Sequence, residues 1–565
     1  MSPVASPQVL IVGAGPAGLT LALALVQQDI QVRIIEKQTS LPSGRRCAII
    51  APRTMEMLHL LGVSKAVEKL ATGPFPVTRY KLPGGIEPLR TWMMAKPEKP
   101  TSDRPYVSSV YLGQDQLEEV LRDELDKYSC PVESGSELVS LTQDDDYVEA
   151  VIRKTSDSGS ALDILDVPFL VGADGLTSES DIYSVIILIH DDAGTTRGQL
   201  EIEALDGTRD EEFITADVKL EGLRDDTIHM WSVEGPSSVT ILAWPASGDL
   251  FTIQIAGNIP DRGRLITDEG FLEQYFVQQT NRKDIKFQEI LFLSEYNPRI
   301  GMLEKFSQER VFLVGDAAHV HTLSGGQGMN SGIQDSMNLS WKLARVIKGQ
   351  AHPHILETYN EERLPVVADM LNKLPELRLS GTVNEANARA FESAGLGVQQ
   401  HNKSTDQMDV NYRWSSIVQG ANINTSDGTD TVGLSAGDRA PDATKLMNEG
   451  GIHSLFDVFS CSRDTIVAFQ PSSEGFKQIQ RLLFSISHGQ DKPHLISIFP
   501  KDAEVPQDHP SDIIFSDTEN HALTAYEVPG GAERTFVIRP DGVVGAIAED
   551  AQGLQEYYAR LPQMS

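Results

Sequence analysis

Gly13-Ala14-Gly15-Pro16-Ala17-Gly18 constrains the fold more than any other feature of this chain. It has the pattern G-x-G-x-x-G, which alone is a weak signal. Here its context is complete. Gln8–Val12 reads as a short buried strand, Gly18–Gln27 as a helix, and Gln31–Ile35 as a second strand that ends at Glu36. That is a βαβ unit, which implies a parallel sheet with a right-handed crossover. Gly13 permits the tight turn, Gly15 lets the backbone approach a pyrophosphate, and Gly18 lets helix and strand pack closely. The helix N-terminus, just after Pro16 and Ala17, offers free N–H groups to the phosphates. Glu36, with Lys37 beside it, accepts hydrogen bonds from ribose hydroxyls and disfavours a 2′-phosphate.

The same stretch excludes one reading. Val9–Val26 is uncharged and long enough to test as a membrane span, but its glycines and Pro16 suit a strand, a turn and a buried helix instead. Met1–Gln8 carries no basic n-region and no cleavage signal. The 565 residues are too many for one core and suggest about three domains. A formal charge of −32 argues against nucleic-acid and anionic membrane-surface partners. Cys47, Cys130 and Cys461 are far apart, with neither metal-ligand spacing nor a disulfide framework. This fits a reducing, cytoplasmic location.

Further along, Leu117–Tyr128 has helical spacing, and Glu137–Ser140, Val148–Arg153 and Leu165–Val171 read as strands. Ile202–Gly257 is strand-rich. Arg310–Val314 returns as a buried strand and Met329–Ile347 as a long helix. Leu371–Trp414 is polar and mainly helical, and Asn422–Gly433 reads as a linker. A last module has strands at Thr465–Gln470 and His494–Phe499 and a hairpin turning at Pro540-Asp541-Gly542.

Three stretches, with a shorter fourth, resemble the class A flavoprotein monooxygenases, the family of 4-hydroxybenzoate and phenol hydroxylases. Val171–Gly175 resembles the family's Asp-Gly motif, and Arg310–Ala344 its Gly-Asp motif. Gly44–Gly62 resembles the segment after the second strand, and Gly113–Leu125 also matches. The fingerprint by itself does not separate NAD from FAD; the resemblance implies FAD, reduced by NAD(P)H without a separate domain. It implies that Arg46 contacts the flavin or its phosphates, that Gln114 contacts the flavin, and that Asp174 and Gly175 serve both cofactors. In the Gly-Asp stretch, Gly315 precedes Asp316, whose carboxylate can reach a ribityl hydroxyl. Gly325, Gly326 and Gly328 let backbone run against an isoalloxazine ring, and Met329 and Asn330 open a helix whose positive end stabilises charge on the reduced flavin. His319 and His321 lie two apart with no third ligand nearby, so they are read as supporting residues and no metal is expected.

The resemblance implies an α/β architecture: a Rossmann-type FAD-binding domain (residues 1–75, 111–180 and 295–370) with an inserted mostly-β substrate domain (76–110 and 181–294). A helical segment and linker (371–430) then leads to a thioredoxin-like α/β domain (431–565). Gly437–Asp442 and the Pro540-Asp541-Gly542 turn carry that last likeness; Cys461 has no CxxC partner, so a structural or dimer-supporting role is expected. The implied activity is NAD(P)H- and dioxygen-dependent hydroxylation of a phenolic or polyketide-derived aromatic through a flavin hydroperoxide. Baeyer–Villiger insertion or epoxidation on the same fold, and a non-catalytic flavoprotein, are the alternatives. A halogenase is disfavoured by the lack of a Trp-x-Trp-x-Ile-Pro motif.

The chain departs from the family pattern in three places. The Asp-Gly motif normally continues with a Ser, a hydrophobic residue and an Arg; here Asp181 stands where the basic residue is expected, followed by the apolar run Ser184–His190. Leu323 and Ser324 replace a frequent Pro, and Ala48 stands where phenol hydroxylases place an Asp. The base that deprotonates a phenol must then lie elsewhere or be dispensable. Tyr, His and Asp candidates within residues 200–300 are too many to rank.

Overall fold

The computed structural model describes residues 6–40, 49–82, 84–93, 98–156, 159–175, 196–200, 202, 204–205, 213–233, 239–257, 259, 261–296, 301–320, 326–378, 406–420, 433–486, 492–506 and 509–561. Arg46, Cys47, Ala48, Asp181, His321, Leu323, Ser324, Gly325 and the Asn422–Val432 part of the expected linker lie outside them.

The expected βαβ unit forms. Val9–Val12 is the heart of a six-stranded sheet and pairs in parallel with Val32–Glu36 on one side and Phe169–Gly172 on the other. Val311–Leu313 extends it in parallel beyond Phe169–Gly172. All four residues of Val9–Val12 are buried, as a parallel strand covered on both faces requires. The first helix, Pro16–Val26, is apolar along its length because it is enclosed by the long helix Gln327–Ile347 and by Gln114–Lys127. Among the described residues no helix is long and apolar enough to cross a membrane.

One expected strand divides. Leu165–Val171 spans the end of Gly159–Val167, which belongs to a separate three-stranded meander, and the start of Phe169–Gly172 in the parallel sheet. A continuous apolar run conceals such a change of partner.

The strand-rich stretch forms a seven-stranded sheet in the order Lys286–Tyr296, Phe213–Glu221, Leu250–Gly257, Val239–Ser247, Ile228–Val233, Pro76–Tyr80, Pro88–Met93. Glu269–Thr280 packs against one face, its Phe276 ring 5.4 Å from Trp231 and in one cluster with Phe251. The last two strands come from far earlier in the chain, so the sheet is stitched back to the first domain. A second seven-stranded sheet, within Leu446–Ala548, is flanked by Ser473–Ile486 and Ala551–Arg560. Its hairpin strands, Arg534–Ile538 and Val544–Ala548, flank the expected turn. Cys130 and Cys461 are buried free thiols.

The C-terminal sheet is fused to the long helix by buried charge. Glu362 accepts from both Arg539 guanidinium nitrogens at 2.7 and 2.9 Å and from Lys342 at 2.8 Å. Arg539 also pairs with Asp541. The guanidinium carbons of Arg345 and Arg539 lie 4.8 and 5.0 Å from the centroid of the Trp341 ring. Arg345 bonds Asp464 at 2.6 Å, and Cys461 Sγ donates to Gln27 Oε1 at 2.8 Å. Burial alone would raise the Glu362 carboxyl; Arg539 and Lys342 override it and hold it well below the usual carboxylate range. That stabilisation is fully present above the unfolded carboxylate value of about 4 and is lost as pH falls through the lower folded value. Glu362→Gln takes from Lys342 its carboxylate partner and leaves Arg539 with Asp541 alone, so urea unfolding should show a loss of about 3–5 kcal/mol at neutral pH, with a shallower acid limb than the parent.

Candidate cofactor and active site

The nucleotide end is built from backbone. Gly13 has φ +104°, and a Cβ there would lie 2.3 Å from the Ala173 carbonyl oxygen. A Cβ on Gly18 would lie 2.1 Å from the Gly13 oxygen, whereas one on Gly15 would meet nothing within 4 Å. The turn therefore closes on the strand through Gly13 and Gly18 and is open at Gly15. The first helix has Gly15 as an extended N-cap without a side-chain cap, Pro16 in its first turn, and no acidic residue there. Its first-turn N–H groups and dipole favour an anion in front of them. Glu36 Oε2 accepts the Ala14 N–H at 3.0 Å and Oε1 the Gln38 N–H at 3.0 Å, which fixes the carboxylate beside the turn. Lys37 is exposed next to it.

Asp174 lies across this cradle. Its Oδ2 accepts the Thr196 N–H at 2.7 Å, while Oδ1 is buried without a partner among the described residues. Burial pushes its carboxyl up to about 6, against the Thr196 hydrogen bond and the Lys37 charge. Asp181, which stands where the family places a basic residue, lies outside the described residues. Besides Lys37, Arg197 interacts electrostatically with Asp174: burial lowers its guanidinium and the Asp174 charge supports it. Sequence reading missed it because Arg197 is far from Asp174 along the chain and no local pattern joins them.

The Gly-Asp stretch is shaped by close backbone approach. Gly315 has φ +60°, and a Cβ on Gly332 would lie 3.0 Å from the Gly315 Cα and 3.3 Å from the Ala17 Cβ. Ser336 Oγ donates to the Ala17 carbonyl at 2.8 Å. Ala17, Gly315 and Gly332 thus bring the first helix, the turn and the long helix together. Asp316 is exposed between buried Gly315 and Ala317, so its carboxylate leaves the core. Asp335, which sequence reading did not single out, holds the turn. Its Oδ2 accepts the Gly315 N–H at 3.1 Å and lies 2.7 Å from His319 Nε2; its Oδ1 accepts from Arg363 Nε at 2.7 Å. Burial would raise Asp335, but Arg363 and His319 hold its carboxyl well below the usual range. His319 is therefore an internal partner of a carboxylate. Among the described residues no His, Cys, Asp and Glu group could hold a metal.

The start of the long helix forms a second cluster. Gly326, at φ +60°, would bring a Cβ to 3.0 Å from Ile49 Cβ. Gly328 and Met329 are half-buried in the first turn. Asn330 is buried and committed to the protein: its amide donates to Ile49 and Gly326 carbonyls and its Oδ1 accepts the Ala51 N–H. It fixes the Ile49 strand against the helix start. Gln114, also half-buried, donates to Glu118 at 2.9 Å.

Ile49 pairs with Tyr111, and the Tyr111 ring lies 5.8 Å from Trp244 and 5.9 Å from Phe75. The large sheet thus turns the face opposite its helix towards this cluster, through Val77, Phe213, Met230, Leu242 and Trp244. Trp244 Nε1 donates to Gln254 at 3.0 Å, and Thr252 Oγ1 donates to Asp217 at 2.6 Å. Asp217 is the buried carboxylate of this sheet among its described residues. His229 faces the other way: it stacks on Tyr80 and Trp231, with Nδ1 2.7 Å from Tyr80 Oη and Nε2 2.8 Å from the Arg224 carbonyl. Burial pushes it down to about 4, so it is a neutral core residue at neutral pH.

Residues 6–373 match the family described as FAD binding domain. The chain belongs to the FAD-binding-domain family. It is 29% identical over 561 residues to a flavin-dependent monooxygenase of Mycobacteroides abscessus, covering 98% of this chain and 99% of that protein. It is 28% identical to pentachlorophenol 4-monooxygenase of Sphingobium chlorophenolicum over 83% of this chain and 81% of that one. The solved flavin-dependent monooxygenase PieE, in complex with FAD and substrate, superposes with a TM-score of 0.79 at 21% identity over 99% of each chain. Aklavinone-11 hydroxylase with FAD and aklavinone gives 0.74 at 22% identity, again over 99% of each. At these identities the structural likeness speaks for the fold. The residues present fit the family's cofactor: a turn open at Gly15, an uncapped helix N-terminus, and a buried, unmet carboxylate oxygen on Asp174. Gly13→Ala forces the turn away from Ala173, so the variant should bind FAD at least about tenfold more weakly by flavin fluorescence quenching, with an unchanged circular dichroism spectrum.

Proposed function

We propose that this chain is an FAD-dependent monooxygenase that uses NAD(P)H and dioxygen to hydroxylate a phenolic or other aromatic compound. The observation that carries the reading is the juxtaposition of a dinucleotide cradle with the aromatic face of the large sheet, joined through Ile49 and Tyr111. FAD, when bound, supplies reduction by NAD(P)H and the activation of dioxygen. Gly13, Gly15, Pro16, Ala17 and Gly18 would hold its pyrophosphate, Glu36 and Lys37 its adenosine end, and Asp316 its ribityl chain. Arg46, Gln114, Asp174, Gly315, Gly326, Gly328 and Met329 complete the proposed binding set, and Asn330, whose side chain is committed to Ile49, Gly326 and Ala51, contributes through its place in the helix's first turn.

The sheet built from residues 76–110 and 181–294 is the proposed substrate module. Trp244, Met230 and Phe213 give a planar ring an apolar surface and exclude water, which the chemistry requires. Asp217, held by Thr252, is the proposed base that draws the phenolic proton and so raises ring nucleophilicity. Curated relatives such as 6-methylpretetramide 4-monooxygenase and aklavinone 12-hydroxylase RdmE favour a polyketide-derived aromatic. Residues 431–565 are read as a thioredoxin-like module without redox chemistry, because Cys461 is buried and its thiol is pushed up to about 12 by that burial. We read this module as a structural or dimer-supporting unit.

The purified protein with added FAD should oxidise NADH or NADPH faster when a suitable phenol is present. Mass spectrometry should then find a product heavier by one oxygen. A ring-opened lactone or an epoxide would move the reading to another oxygenation, and a bound flavin reduced by neither nicotinamide cofactor would overturn the enzyme reading. With an active phenol in hand, Asp217→Asn should lower kcat by about 10²- to 10³-fold while FAD affinity stays unchanged.

A further inference from the structure

On the face of the large sheet that Tyr111 meets, one side-chain amide is locked by its neighbour. Gln254 lies in Leu250–Gly257 between Ile253 and Ile255, which pack with the helix Glu269–Thr280. Strand alternation therefore points Gln254 to the opposite face, with Leu242, Trp244 and Ala256. Its Oε1 accepts the Trp244 Nε1–H at 3.0 Å. An indole nitrogen only donates, so the amide oxygen has to face Trp244 and the amide nitrogen has to face away. Among the described residues that nitrogen has no hydrogen-bond partner, and Gln254 is half-buried. Two N–H donors are thus held open beside Trp244, whose ring is 5.8 Å from Tyr111. Thr215, directly opposite Gln254 and 8% exposed, sets a hydroxyl next to them.

The register places these donors near Asp217. Asp217 is opposite Thr252, two residues before Gln254 on the same strand, so Asp217 and Gln254 are diagonal neighbours. Their backbones are about 7–8 Å apart in such a pair. Thr252 donates to Asp217, so the Asp217 end accepts from a ligand while the Gln254 end donates to it. Among the positions around Gln254 on this face, Asp217 alone is charged and none is cationic. A carboxylate bound here would meet repulsion from Asp217 with no cation to offset it. A carbonyl oxygen, which accepts and carries no charge, meets no such penalty.

We propose that Gln254 is a specificity-determining residue. Its amide N–H groups bind a carbonyl oxygen of the substrate, Asp217 takes the phenolic proton at the opposite edge of the ring system, and Trp244 holds the amide in that orientation. The substrate class is then a phenol whose ring system also carries a ketone or quinone carbonyl. The proposal rests on the monooxygenase reading above and deepens it. A ligand without the carbonyl leaves the donors unmet, which a site of this kind penalises.

The experiment uses the FAD-loaded full chain and follows binding through the flavin absorption spectrum, so that no turnover is needed. Three probes share a fused two-ring skeleton: a hydroxytetralone with its carbonyl para to the hydroxyl, the tetrahydronaphthol that lacks the carbonyl, and a hydroxynaphthoate. The parent should bind the hydroxytetralone at least about tenfold more tightly than the tetrahydronaphthol, and the hydroxynaphthoate more weakly than the hydroxytetralone. Gln254→Leu should bring the hydroxytetralone and tetrahydronaphthol affinities within about twofold of each other. Gln254→Glu still accepts from Trp244 but has no donor at neutral pH, and it should lose the preference as well. Trp244→Phe should keep only part of it, because the amide is then free to turn.

The ratio of the two affinities is the deciding readout. A merely structural Gln254 would lower the melting temperature of its variants without moving that ratio. A parent that does not separate the ketone from its deoxygenated partner overturns the proposal, as does a Gln254→Leu protein that keeps the preference. Tighter binding of the hydroxynaphthoate, or an FAD-loaded parent that binds none of the probes, overturns it too. A protein that shows the preference but oxidises neither nicotinamide cofactor with any phenol fails the monooxygenase reading and leaves the Gln254 assignment standing.

Discussion

The structure depends on the polar stripe of one buried helix, Gln327–Ile347. Its apolar residues fill the main core, while Asn330, Asp335, the pair Asn338 and Lys342, and Arg345 reach different parts of the chain. Asn330 holds the Ile49 strand, Asp335 holds the Gly-Asp turn and Arg363, and Lys342 with Asn338 meets Glu362. Arg345 reaches Asp464 of the C-terminal sheet. Buried ions add little net stability compared with well-packed apolar groups. What these add is registry. A wrong placement of any neighbour would leave a charge buried without its partner, and that is costly enough to reject the alternative.

This arrangement explains why the C-terminal module cannot be regarded as an appendage. Arg539 crosses from it to Glu362, Tyr412 joins Arg363, and Arg363 bonds Asp335 under the Gly315 turn. Buried hydrogen bonds and ion pairs, with the Arg539 guanidinium over the Tyr412 ring, therefore join the Gly-Asp turn to the far sheet through a few side chains. Arg53 and Arg439 repeat the theme at the other flank, where Arg53 donates to the Asp541 carbonyl and Arg439 to Glu56. The module braces the helix whose first turn faces the proposed flavin.

The sequence made the local half of this legible. Gly13, Gly15 and Gly18 announce their roles because steric limits on backbone act over a few residues, and the βαβ unit, the long helix and the final hairpin followed from periodicity and turn residues. What was hidden depends on pairing across distance. Leu165–Val171 looked like one strand because apolarity does not record which sheet takes each half. Asp335 resembled an ordinary helix residue until Arg363 and His319 were found around it. Asp217 could not be chosen among its rivals until the register put His229 on the opposite face of the sheet. Arg197 was hidden for the same reason, since its relation to Asp174 exists only in space.

The electrostatics of the site resolve an apparent conflict. A chain with net charge −32 is an unpromising host for a dinucleotide with a doubly anionic pyrophosphate. The repulsion of distant surface carboxylates, however, is screened beyond about 8 Å at physiological ionic strength. In the proposed site, what the phosphates would meet at close range is the open Gly15 backbone and an uncapped helix N-terminus with no acid in its first turn. The carboxylates that do stand near, Glu36 and Asp174, are engaged by the Ala14, Gln38 and Thr196 N–H groups, and Lys37 and Arg197 lie close to Asp174. Anion recognition here therefore rests on oriented backbone dipoles over a few ångströms, which the acidic surface leaves intact.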